Sequence, residues 1–174
     1  MRKASTQTFT YVIAIGSNRA LAAALGPLQL VDAAMDALDS PPLTLLARST
    51  ILRTAPLGPS LRRYANAVAI IESDLQPPAL LDRLQRIESN YGRRRQRRWG
   101  ARTLDLDIIL WSGGIWTDTR LSVPHPAFRT RDFVLAPLAS VAPDWRDPGT
   151  GRNVAQLYRR LIRRKPVDHR ANAL

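Results

Sequence analysis

Apolar and polar positions along this chain follow two alternating rhythms, one with the period of a strand and one with the period of a helix. Phe9-Thr10-Tyr11-Val12-Ile13-Ala14-Ile15 reads as a buried strand that stops at the turn signal Gly16-Ser17-Asn18. Leu28, Val31, Met35 and Leu38 then recur at helical spacing behind Pro27, which suits a first helical turn, and Pro41-Pro42 ends that segment. Leu43 to Thr54 predicts one long second strand, followed by the loop Ala55-Pro56-Leu57-Gly58-Pro59, and Tyr64 to Glu72 predicts a third. Pro77-Pro78 opens a second helix with an apolar stripe of Leu80, Leu84, Ile87 and Tyr91, and Gly92 is placed to cap it. A strand from Leu104 to Trp111 completes the order βαββαβ.

That order is the split-βαβ arrangement, so the fold class is α+β: a single-domain ferredoxin-like core with an antiparallel sheet. A C-terminal hairpin-like stretch through Gly113-Gly114, a short helix near Arg131 to Ser140 and a final helix near Asn153 to Arg164 decorate it. At 174 residues the chain suits one domain, here residues 9–165, with an N-terminal extension at 1–8 and a tail at 166–174. There is no cysteine, which excludes disulfides and thiolate metal sites. No apolar run approaches a membrane span, and the first eight residues lack the apolar core of a secretory signal, so no membrane partner is expected and the expected location is the cytoplasm.

Charge changes the picture. The formal net charge is +12, and Lys3 and Lys165 are the only lysines, so the excess rests on arginine. Arginine presents a planar fork that matches phosphate oxygens. An anionic partner is therefore expected, either a nucleotide or a nucleic acid, although part of the bias can simply reflect arginine-rich codon usage.

The most specific chemistry lies in Arg98-Trp99-Gly100-Ala101-Arg102-Thr103-Leu104-Asp105-Leu106-Asp107-Ile108-Ile109. Residues two apart on a strand share a face with Cα atoms about 6.6 Å apart, which puts Asp105 with Asp107 on one side. Leu104, Leu106, Ile108 and Leu110 are expected on the other. Two carboxylates this close repel unless a cation or proton lies between them, and hard divalent ions prefer carboxylate oxygen. A metal site bridging to a polyphosphate follows, against the alternative of an edge strand with two solvated aspartates. The preceding run Gly92-Arg93-Arg94-Arg95-Gln96-Arg97-Arg98 is read as a glycine-hinged cationic lid over phosphates, the alternative being a solvated charge run. His125 is stiffened between Pro124 and Pro126, with Arg129 and Arg131 close behind it. Tyr64 and Asn66 share a strand face, a ring beside an amide that suits a flat heteroaromatic ligand. Trp99 and Phe133 are further aromatic candidates.

Taken in order, these segments resemble the 6-hydroxymethyl-7,8-dihydropterin pyrophosphokinase family. The resemblance rests on Ala14-Ile15-Gly16-Ser17-Asn18, Arg53-Thr54-Ala55-Pro56-Leu57-Gly58 with Tyr64-Ala65-Asn66, Gln85-Arg86-Ile87-Glu88, Gly92-Arg93-Arg94-Arg95, the twelve-residue run above, and Val123-Pro124-His125-Pro126 with Arg131-Asp132-Phe133-Val134-Leu135. It implies diphosphate transfer from ATP to the hydroxymethyl oxygen of 6-hydroxymethyl-7,8-dihydropterin, a step of folate biosynthesis, in a monomer. It also implies that Asp105 and Asp107 bind two Mg²⁺ ions, with Arg93 and Arg102 acting near the transferred group. Gln85, Glu88, Arg95, Arg98, Ile108, His125 and Arg131 are the implied ATP contacts. Thr54, Ala55, Leu57, Tyr64, Asn66, Trp99 and Phe133 are the implied pterin contacts.

The chain departs from the family pattern at Ala101, where proline is commoner, at Arg19, where an apolar residue is usual, and in the alanine-rich insert Leu21-Ala22-Ala23-Ala24-Leu25. The rivals are an RNA-binding ferredoxin-like module and a catalytically silent paralogue. The first lacks its strand motif of basic, glycine and aromatic residues here, and RNA binding does not call for Asp105 and Asp107.

Overall fold

The computed structural model describes residues 7–54, 64–92 and 103–164. Its core strands are β1 (Phe9–Ser17), β2 (Leu43–Arg48), β3 (Leu52–Thr54), β4 (Tyr64–Ser73) and β5 (Asp105–Trp111). The helices are α1 (Pro27–Ala37), α2 (Pro77–Asn90), α3 (Asp132–Val141) and α4 (Val154–Arg164), and β6 (Trp116–Thr117) with β7 (Ser122–Val123) forms a small hairpin. The sheet runs β2-β4-β1-β5, with β3 also paired to β4, and these pairings are antiparallel. This is the ferredoxin-like α+β fold. Among the described residues no helix is long and apolar enough to cross a membrane.

Both first helices begin at prolines whose missing N–H costs nothing there. The end of α2 follows the expected glycine rule: Gly92 lies just past the C-cap with φ +76°, and its N–H donates to the Ser89 carbonyl at 3.1 Å.

Strand alternation divides the core into two layers. Tyr11, Ile13 and Ile15 of β1 pack with Ala67, Ala69 and Ile71 of β4 under α1 and α2. Val12, Val68, Ile70, Ile109 and Leu110 pack on the opposite face with Val134, Leu135 and Leu138 of α3 and Val154 and Leu157 of α4.

Three expectations are corrected. The long second strand breaks into β2 and β3, because buried Ser49 enters the ladder with its side chain: its N–H donates to the Val68 carbonyl and its Oγ accepts the Val68 N–H, both at 2.9 Å. The first strand does not stop at Gly16; Gly16 and Ser17 remain paired to Asn66 and Ala65. Leu110 does not share a face with Leu106 and Ile108. The register passes from Val12↔Leu110 to Ile13↔Ile108, so Ile109 is an extra residue, a β-bulge that turns Leu110 toward α3 and α4.

Candidate active site

The α3–α4 face of the sheet changes character along its length. At one end Val12 lies between Ile70 and Leu110; in the middle Ala14 lies between Val68 and Asp107; at the other end Gly16 lies between Asn66 and Asp105. Side chains shrink along the central strand from valine to alanine to glycine while its neighbours turn from aliphatic to polar. The result is a hollow floored by Gly16 and Ala14. A Cβ at Gly16 would come 3.4 Å from Asn66 Oδ1, so even one methyl group would touch the amide that forms the wall. Two strand spacings separate Asn66 from Asp105, a span of about 10 Å.

One wall is prepared to read a ligand. Asn66 is buried, and its Nδ2 donates to Thr54 Oγ1 at 2.8 Å, which orients the amide. Tyr64, half-buried, precedes it by two residues and shares its face.

The other wall carries charge. The Ile109 bulge offers its carbonyl to the His125 N–H at 3.0 Å, which anchors the segment after β7 beside β5. His125 Nε2 then lies 3.9 Å, and Arg131 Nη1 3.8 Å, from Asp107 Oδ2. Burial, aided by the Arg131 charge, pushes the His125 imidazole below its ordinary pKa despite the opposing pull of Asp107 and Asp105. The Ala127 N–H donates to its Nδ1 at 3.2 Å, so the neutral ring carries its proton on Nε2, the atom that faces Asp107. The Arg131 guanidinium lies 5.8 Å from the centre of the Phe133 ring, which brings that aromatic to the same edge of the hollow.

Asp105, Asp107, Asn66, Thr54, Tyr64, His125, Arg131 and Phe133 therefore gather around one end of the sheet. Ile108 does not: alternation buries its side chain under α1 and α2. Glu88 is also diverted. It is 1% exposed, and its Oε1 accepts the Leu106 N–H at 2.8 Å on the outer edge of β5, so it holds the strand between the two aspartates instead of facing their side of the sheet. Gln85 is exposed on α2. Ala55, Leu57, Arg93, Arg95, Arg98, Trp99 and Arg102 lie outside the described residues, as does the lid reading of residues 93–98. A separate cleft of about 810 Å³ adjoins the Tyr64 wall, lined by Asn18, Arg19, Gln29, Arg53 and Tyr64 among others, and neither aspartate lines it.

Among the described residues no group of three or more metal-ligating side chains converges. Paired carboxylates still fit Mg²⁺, which keeps several waters and takes one or two carboxylates together with substrate phosphates.

Fold and site together define the class: an α+β protein whose open sheet end sets paired carboxylates against an arginine fork and an imidazole N–H, the equipment of polyphosphate chemistry. The sequence pattern of the 7,8-dihydro-6-hydroxymethylpterin-pyrophosphokinase (HPPK) family matches residues 12–143. The 2-amino-4-hydroxy-6-hydroxymethyldihydropteridine pyrophosphokinase of Pseudomonas aeruginosa is 45% identical over 147 residues, covering 83% of this chain and 87% of that protein. Its counterpart from Haemophilus influenzae is 44% identical over 137 residues, covering 78% and 82%. The crystal structure of wild-type Plasmodium falciparum HPPK-DHPS superposes with a TM-score of 0.69 at 12% identity, covering 91% of this chain but 42% of that longer one, a likeness that shows the fold alone. The chain belongs to the HPPK family and is a pyrophosphokinase.

Proposed function

We propose that the hollow at the open end of the sheet holds 6-hydroxymethyl-7,8-dihydropterin against Tyr64 and Asn66 and the polyphosphate of ATP against Asp105, Asp107, His125 and Arg131. The observation that carries this reading is the row Asn66-Gly16-Asp105, in which an oriented amide and a carboxylate face each other across a glycine floor. A pterin reaching across about 10 Å spans that row with its hydroxymethyl arm toward the aspartates.

In the reaction the pterin hydroxymethyl oxygen attacks the β-phosphorus of ATP. The new O–P bond forms as the bridge between the α- and β-phosphates breaks, AMP leaves with the bridging oxygen and its electron pair, and the hydroxyl proton passes to water. Asn66, oriented by Thr54, reads the pterin's amide edge, and Tyr64 and Phe133 supply ring faces. His125 offers its Nε2–H and Arg131 its fork to phosphate oxygens, where negative charge builds as the bridge breaks. Asp105 and Asp107 would hold Mg²⁺, which when bound neutralises phosphate charge and orients the chain of phosphates. Arg93, Arg95, Arg98, Arg102 and Trp99 are assigned by resemblance to the same two substrates.

The test is the nucleotide product formed from ATP, Mg²⁺ and the pterin alcohol. Attack at the β-phosphorus yields AMP in step with pterin diphosphate, which chromatography separates from ADP. Formation of ADP overturns the assignment of the attacked phosphorus, and failure to consume ATP overturns the catalytic reading.

A further inference from the structure

Asp147 is a fully buried carboxylate outside the hollow, with a side-chain exposure of 0%. Arg129 grips it with a two-pronged bond, Nε to Oδ2 at 2.7 Å and Nη2 to Oδ1 at 2.6 Å. Thr150 Oγ1 donates to Oδ2 at 2.6 Å and the Gly149 N–H to Oδ1 at 3.1 Å, so four donors converge on one carboxylate. The loop is shaped around the guanidinium: a Cβ at Gly149 would come 2.7 Å from Arg129 Nη2. On its other side the Arg129 head lies 4.7 Å from the centre of the buried Phe128 ring.

Arg129 sits in the 3₁₀ turn Phe128–Thr130, four residues after His125 and two before Arg131. That turn is tied backward by the Phe128 N–H to the His125 carbonyl and forward by the Arg131 N–H to the Phe128 carbonyl. Whatever fixes Arg129 therefore fixes the two N–H donors, His125 Nε2 and Arg131 Nη1, that approach Asp107 at 3.9 and 3.8 Å.

We propose that Arg129 and Asp147 are a positioning pair, which pins the turn from behind so that His125 and Arg131 meet the nucleotide phosphates at a set distance. The proposal rests on the reading of the Asp107 wall as the nucleotide side. The pair touches neither substrate; it acts through the turn. Lysine cannot replace the arginine without loss, since only the planar fork makes both bonds at once.

Arg129→Met and Arg129→Lys in the full chain provide the test, assayed well below their melting temperatures. A shift of about 1 Å in the phosphate contacts lowers kcat/KM for ATP by up to about 100-fold. The KM for the pterin alcohol, read at the opposite wall, stays at the wild-type value. Arg129→Lys, which keeps the charge and folds readily, falls between wild type and Arg129→Met. The imidazole proton signals supply a readout independent of turnover: His125 and His169 are the chain's two histidines, and only the His125 signal moves in the variants. Loss of melting temperature with unchanged ATP kinetics and an unchanged His125 signal overturns the proposal and leaves the pair a stability element. Absence of AMP formation by the wild-type protein overturns the nucleotide reading instead, and the His125 signal still decides whether the pair sets the turn.

Discussion

Replacing Asp107 by asparagine separates the chemistry of the site from the stability of the fold. The side chain keeps its shape and loses its charge. Two effects on the ligand-free protein oppose each other. With the carboxylates about 6 Å apart, relief of repulsion from Asp105 is worth about 1 kcal/mol, toward the solvent-screened end of a Coulomb range of about 0.7–2.8 kcal/mol for effective dielectrics of about 80 to 20. The lost attraction to Arg131, 3.8 Å away with both side chains about a third exposed, is worth about 0–1 kcal/mol. His125 adds little at neutral pH because burial keeps it uncharged. The net change is within about 1 kcal/mol, or about 2–4 °C in melting temperature for a chain of this size. Activity responds on another scale: loss of one electrostatic contact to the transferred group costs about 10²–10³-fold, and loss of a metal ligand at least as much. The assay pairs AMP formation with thermal unfolding, with and without Mg²⁺ and a nonhydrolysable ATP analogue. At a hundred times its dissociation constant such a ligand stabilises the wild type by about 2.7 kcal/mol, and Asp107→Asn should lose most of that shift. A variant that makes AMP at a near-normal rate, or that keeps the full ligand-induced shift, would refute the assignment of Asp107 to the metal and phosphate.

Two further expectations probe the floor and the buried carboxylate. Gly16→Val should fold, since the backbone there is ordinary strand, but its side chain enters the hollow, and the strain should weaken pterin binding by about 1–3 kcal/mol; a pterin KM equal to wild type would move the substrate off the Asn66-Gly16-Asp105 row. For Asp147, burial pushes the carboxyl up, but the bonds from Arg129, Thr150 and the Gly149 amide prevail and hold it below the usual carboxylate range. Its contribution to stability is therefore present above the ordinary carboxylate pKa and is lost as pH falls through the lowered folded value. Asp147→Asn should lower the melting temperature at pH 7 and flatten its decline in acid, and a decline as steep as that of wild type would show that Asp147 is not a source of the acid sensitivity.

The parts legible in the sequence were those written in a single period. The α1 stripe of Leu28, Val31, Met35 and Leu38, the proline starts of α1 and α2, and the alternation of Asp105 with Leu106 each depend on neighbours in the chain, so local reading located them. The bulges at Leu46, the extra residue between the pairs Leu45↔Ile71 and Ala47↔Ile70, and at Ile109 were not legible. Each lies in a continuous apolar or β-favouring run where a one-residue slip leaves no local mark, yet a slip decides which face every later side chain occupies. Glu88 could have been placed better: it stands four residues after Leu84, within the apolar stripe of α2, where a carboxylate must find a buried donor. The Arg129–Asp147 pair gave no comparable signal, because Asp147-Pro148-Gly149 reads as an ordinary surface turn until the fold brings Arg129 over it.

The hollow and the core come from one device, the alternation of side chains on three paired strands. At the closed end Val12, Ile70 and Leu110 are buried under α3 and α4, each worth about 1.5–3 kcal/mol of burial. At the open end the same alternation presents Gly16, Asn66 and Asp105, which contribute little apolar burial. Stability is therefore concentrated away from the chemistry, and the sheet tolerates two like-charged carboxylates on an edge strand because its central strand is anchored elsewhere. The bulge at Ile109 marks the boundary. It turns Leu110 into the core on one side and releases the carbonyl that anchors His125 on the other, so a single extra residue both closes the packed end and equips the open one.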